Sequence, residues 1–135
     1  MFMGPDGPEV ALIQVVRRFW STWEIAKGKL ERGEDPLSSA KREIQEEMGA
    51  EMPLDLMHDL GPVRYGFTTP EGEPRLKTMF VFMFQTPERI TDFHPAEGES
   101  VTDVKWFSPK AAQRAVTHRS LRPMINRVRW LLDPP

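Results

Sequence analysis

A glycine-bearing loop that runs straight into a short helix loaded with carboxylates constrains this chain more than any other stretch. It reads Gly28-Lys29-Leu30-Glu31-Arg32-Gly33-Glu34, then Asp35 to Lys41, then Arg42-Glu43-Ile44-Gln45-Glu46-Glu47-Met48-Gly49-Ala50. Asp35 suits a helix cap, and Pro36 suits the first helical position because the N–H it lacks has no partner there in any case. Gly49 is the natural stop, since it enters the left-handed region without penalty. The spacing predicts a helix from Pro36 to Met48. At about 100° per residue, Leu37, Ala40, Ile44 and Met48 share an apolar stripe. Glu43, Glu46 and Glu47 occupy the adjoining arc.

Those three carboxylates are costly where they stand. Glu43 and Glu47 are a like-charge pair one turn apart, worth a few tenths of a kcal/mol of repulsion (~0.3) in an isolated helix. Glu46 and Glu47 also sit near the helix C-terminus, where the dipole disfavours negative charge. No cation follows four residues on, and only Arg42 helps Glu46, in the less favourable order. One reading is a solvated acidic face. The other is a site that receives a cation, and convergent carboxylates suit a hard divalent ion such as magnesium or manganese.

The whole pattern favours the second reading. Gly28, five residues, Glu34, seven residues, Arg42-Glu43-Ile44-x-Glu46-Glu47-x-Gly49 and the small apolar Ala50 resembles the Nudix box. That signature, from Gly28 to Ala50, marks the Nudix hydrolase (MutT-like) family. A looser resemblance in strand order covers most of the chain. The resemblance implies one Nudix hydrolase domain over residues 1–135, with an α/β/α sandwich fold: a mixed sheet between helices, α+β in composition. In such a domain Glu43, Glu46 and Glu47 hold the metal. The backbone carbonyl of Lys27 and an acid ahead of Trp106 complete its ligands; Glu99 matches that acid best, with Glu97 as the fallback. Glu43, Glu47 and Glu99 all stay open as the general base. Gly28, Glu34, Arg42 and Gly49 are implied to shape the box, with Arg42 held to Glu34 or another box acid. The family usually has Pro where this chain has Ala26.

Composition narrows the alternatives. A net charge of -2 leaves no basic footprint for nucleic acid. The absence of cysteine removes disulfide and thiolate chemistry and fits a reducing cytosol, so a cytoplasmic location is expected. With no Cys, and His58, His94 and His118 scattered, a zinc site is not expected. No apolar run approaches the length of a membrane span.

Along the chain, Val10–Val16 reads as a buried strand and Trp23–Ile25 as a short one leading to Gly28. Trp20 and Trp23 suit either a base pocket or the core. Nudix domains usually begin with a Gly-Ala-Val-Val type strand ahead of the Val10 strand, and only Met1-Phe2-Met3 stands in its place. The resemblance therefore implies either further upstream residues or a differently built edge, and an open edge invites a homodimer. Glu51 to Leu60 reads as loop or short strand. Val63–Thr68 and the very apolar Lys77–Gln85 form a hairpin through a Pro-Glu-Gly turn, with Lys77–Gln85 read as a central strand. Arg64-Tyr65 before that turn is similar to the diadenosine polyphosphate hydrolase branch of the family. Lys29, Arg64, Arg75 and Lys77 suit phosphates, and Tyr65 or Phe67 a stacked base; each also suits a solvated charge or a packing aromatic. Val101–Phe107 is a strand, Lys110–Val116 starts a helix, and Leu121–Leu132 is an amphipathic helix with Arg122, Arg127 and Arg129 facing solvent.

The function implied is magnesium-dependent hydrolysis of a nucleoside diphosphate linked to another moiety, leaning to dinucleoside polyphosphates. Oxidised nucleoside triphosphates come next, then ADP-ribose or diphosphoinositol compounds. A non-catalytic nucleotide-binding module is the alternative of another class.

Overall fold

The computed structural model describes residues 1–16, 19–26, 33–49, 51–95 and 100–134. At the centre is β2 (Gly7–Val16), a run rich in Val, Ile and Leu. It pairs antiparallel with β3 (Ser21–Glu24), Ile13 opposite Glu24, and with β6 (Val101–Phe107), Val10 opposite Phe107. The first strand is short rather than missing. β1 (Phe2–Gly4) folds back on the start of β2, with Phe2 opposite Glu9.

Successive residues of a strand point to opposite faces, and β2 uses both. Leu12 packs with Leu60, Val81, Val116, Ile125 and Val128 on one side. Ile13 packs with Met48 and Val104 on the other, against Ile44 and Phe93. The first face is covered by α2 (Pro109–Ala115) and α3 (Arg122–Leu132), and the second by α1 (Pro36–Met48). Helices on both sides of a sheet make an α/β/α sandwich, the α+β arrangement expected.

A long hairpin completes the chain: β4 (Asp55–Thr68) and β5 (Pro74–Gln85) pair from Asp55↔Gln85 out to Thr68↔Pro74. Thr69 and Glu73 close its turn through Thr69 N–H to the Glu73 carbonyl, 2.9 Å. The hairpin packs on the core through Leu60, Val81 and Met83, and is also bonded to Met1, whose backbone N donates to Phe84 O (2.6 Å) and whose carbonyl accepts from Thr86 N (2.9 Å).

Several local readings are corrected here. Lys77–Gln85 is not a central strand: among the described residues it pairs with β4 alone, and it is buried only in its second half, at Val81, Met83 and Phe84, while Phe80 is exposed. The segment before Val63 is strand from Asp55 onward, interrupted by register shifts between Leu56 and His58 and between Asp59 and Gly61. Arg122 and Arg127 are exposed as expected and Arg129 is half-buried, with Arg127 Nη1 also donating to Leu60 O (2.9 Å) and Arg129 Nη1 to Gln113 Oε1 (2.6 Å). Leu131 of the same helix is exposed despite its apolar side chain. Among the described residues no helix is long and apolar enough to cross a membrane.

Candidate active site

Local chemistry sets both ends of α1. Asp35 caps it by accepting from Ser38 N–H at 2.8 Å and Ser38 Oγ at 2.9 Å. These bonds favour the ionised form and hold the Asp35 carboxyl below its ordinary pKa. Gly49 ends the helix at φ 65°, its N–H bonded to Gln45 O at 2.9 Å.

The helix turns inward not only part of its apolar stripe, Ile44 and Met48, but also the carboxylate arc beside it. Ser39, Glu43, Glu47 and Met48 are buried, while Leu37 is only half-buried. Glu43 and Glu47 retain 8% and 7% of their exposure, low for carboxylates. Glu46 is more open, with 44% of its side chain exposed.

Arg42 does more to relieve these acids than its position on the helix suggests. Its Nε and Nη2 fork onto Glu34 at 2.9 and 3.1 Å. Its Nη1 lies 2.8 Å from Glu43 Oε1 and 3.0 Å from Glu46 Oε2. One planar guanidinium thus binds the loop acid to two helix acids, which a lysine's single ammonium cannot reproduce.

Glu43 also lines a cavity of about 730 Å3 that opens between α1 and β5. Its other walls are largely apolar and aromatic, with Phe82, Phe84, Phe93 and Trp106 prominent. Tyr65 and Lys77, directly opposite each other in the hairpin, line it too. Arg64 pairs with Thr78, which lines the cavity, but Arg64 itself lies outside that lining. Arg75 is engaged by Glu73 at 2.5 Å. Trp23 is a core aromatic, edge-on to Phe107 with centroids 5.1 Å apart, and Trp20 is exposed. Lys27, Gly28, Lys29, Glu97 and Glu99 lie outside the described residues.

Sequence reasoning missed the wall opposite α1. The segment from Thr86 to Ser100 reads as a polar loop, yet Phe93 lines the cavity from it. Trp106 Nε1 donates to Ile90 O at 2.5 Å, and His94 N–H donates to Gly49 O at 3.1 Å, binding that segment to β6 and to the end of α1. The aromatic at Phe93 was the one visible signal, and nothing local says where it points.

Among the described residues no three acidic or histidine side chains are already gathered as a metal cage. The donor chemistry nevertheless fits a hard cation. Two carboxylates one turn apart are drawn out of solvent on one helix face, and carboxylate oxygen is the ligand such an ion prefers.

Comparison with known proteins bears on the family and the fold. The family model for the NUDIX domain matches residues 2–128. A C. elegans Ap4A hydrolase binary complex superimposes with a TM-score of 0.67 at 17% identity, covering 91% of this chain and 86% of that one. The E. coli dihydroneopterin triphosphate pyrophosphohydrolase gives 0.67 at 22% identity, over 93% and 88%. At these identities the likeness is one of fold. The octanoyltransferase of Myxococcus xanthus is 42% identical over 71 residues, 50% of this chain. The matched stretch is only 18% of that protein's length.

Proposed function

This chain belongs to the Nudix domain family of hydrolases, and from that premise we propose that it cuts the phosphoric anhydride of a nucleoside diphosphate linked to a further moiety, with dinucleoside polyphosphates preferred. The observation that carries this reading is the junction at Glu43. That residue belongs both to the carboxylate helix and to the aromatic-lined cavity. A phosphate held at the helix therefore leaves its nucleoside facing an apolar space of about 730 Å3, ample for a purine and its ribose.

Nudix hydrolases work with a divalent metal. In this chain Glu43, Glu46 and Glu47 would hold it, with the Lys27 carbonyl and Glu99 as further ligands. Magnesium is the natural ion and manganese its substitute. When bound, the ion lowers the pKa of water and neutralises charge on the phosphates. The side chains supply the rest. A carboxylate among Glu43, Glu47 and Glu99 takes the proton of the water whose oxygen forms the new P–O bond as the bridging P–O bond breaks. Arg42 keeps Glu34, Glu43 and Glu46 in register. Tyr65 and Lys77 meet the nucleotide in the cavity, Lys29 meets phosphate at the glycine loop, and Arg64 contacts the part of the substrate that extends beyond the cavity.

The similarity of Arg64-Tyr65 and its following turn to the diadenosine polyphosphate hydrolase branch supports the substrate preference. A panel of diadenosine polyphosphates, oxidised and ordinary nucleoside triphosphates and ADP-ribose, assayed with magnesium, tests it. A higher kcat/KM on the dinucleotides is expected. A clear preference for another member reassigns the substrate, and no cleavage of any refutes the reading.

A further inference from the structure

We infer that Phe93 is the platform on which the substrate's base stacks, and that Trp106 fixes its position. The inference rests on the nucleotide reading above and adds the residue that would select for a planar base.

Phe93 lines the cavity from the segment between β5 and β6, and that segment is held at several points. Arg89 bonds Glu9 with Nε–Oε1 at 3.2 Å. The Trp106 indole N–H holds the Ile90 carbonyl. His94, next to Phe93, donates to the carbonyl of Gly49 at the end of the carboxylate helix. The Phe93 and Trp106 rings meet with centroids 6.4 Å apart and planes tilted by 46°. Trp106 is braced from behind by Phe2, edge-on at 6.3 Å. Phe93 packs against the cluster of Ile13, Met48 and Val104, yet it remains only half-buried and lines the same cavity as Glu43.

An aromatic face that is open to a cavity and fixed by its neighbours accepts a nucleobase at little entropic cost, since the ring is already ordered. The hydrogen bond from His94 N–H to the Gly49 carbonyl sets the register of this platform against the carboxylate helix, so base and scissile phosphate are spaced by one rigid connection. Trp106 is a positioning residue in this scheme: its N–H is spent on Ile90, so it acts through Phe93.

The test is steady-state kinetics on the 135-residue chain with its best nucleotide substrate and magnesium. Phe93→Leu keeps the apolar packing on Met48 and removes the flat face; KM rises about tenfold, the scale of losing one base stack, while kcat stays within about threefold. Phe93→Trp restores the wild-type KM. Trp106→Phe keeps a ring and loses the bond to Ile90, and gives an intermediate KM. Melting temperatures measured alongside separate binding from folding. Wild-type KM in Phe93→Leu, or a loss confined to kcat or to melting temperature, overturns the inference. Failure of the wild type to cleave any anhydride refutes the proposed function instead, so the two failures are distinct.

Discussion

Gly49 and His94 are in such close contact that a Cβ on Gly49 would lie 1.4 Å from the His94 carbonyl oxygen. Gly49 also holds φ at 65°, a conformation costly for residues with a side chain. Gly49→Ala therefore meets two penalties, backbone strain and a clash with backbone that cannot rotate aside. A loss of roughly 3 kcal/mol or more is expected, since the strain alone accounts for 1–2. Denaturant unfolding checks it. A loss below about 1 kcal/mol would mean that the segment carrying His94 yields freely.

Arg42 supports a second prediction. With 23% of its side chain exposed, it neutralises Glu43 and Glu46 and forks onto Glu34. Arg42→Gln leaves a buried carboxylate without that guanidinium, at a cost of roughly 2 kcal/mol, less than for a fully buried pair because part of the site is wet. Arg42→Lys restores the charge and not the fork, and recovers only part of the loss. Glu46→Gln changes stability by less than about 0.5 kcal/mol, since that acid is largely exposed. Thermal melts of the three variants in parallel decide the ranking.

The Asp35 cap gives stability a sign with pH. Its pKa is lowered from 3.8 by hydrogen bonds from Ser38. A depressed carboxyl contributes fully above the unfolded-state value and loses its contribution as pH falls through the folded-state value. The melting-temperature gap between wild type and Asp35→Ala should be constant at neutral pH and narrow below about pH 4. A gap that widens on acidification would contradict the cap's role.

How much of this was legible in the sequence follows from how local each determinant is. Asp35, Pro36 and Gly49 each act on their own helix end, so α1 runs over the expected Pro36–Met48. β4 was hidden because its bulges near His58 and Leu60 break the alternation that marks a strand. The inward turn of Glu43 and Glu47 was hidden for another reason. Periodicity assigns the interior to apolar residues, and here the carboxylate arc beside the apolar stripe is buried as well, with Glu43 lining the cavity. The Arg42 network, the Trp106–Ile90 bond and the Gly49–His94 contact join residues by tertiary geometry, which one sequence does not display.

Glu47 bears most directly on the chemistry. It is buried on the same helix face as Glu43, one turn away. Glu47→Gln preserves shape and removes one of two like charges. Stability should be unchanged or higher, while turnover falls roughly 10²–10⁴-fold. A large loss of stability would make that carboxylate a structural group.

The central claim is that the acids of α1 bring a divalent ion to a phosphoric anhydride. Its most direct test is the rate of diadenosine tetraphosphate cleavage, followed by product mass, for wild type and Glu47→Gln with magnesium and after chelation. Cleavage by the wild type is expected to need the metal and nearly to vanish in the variant. Cleavage that persists without metal, or an equally active Glu47→Gln, would contradict it.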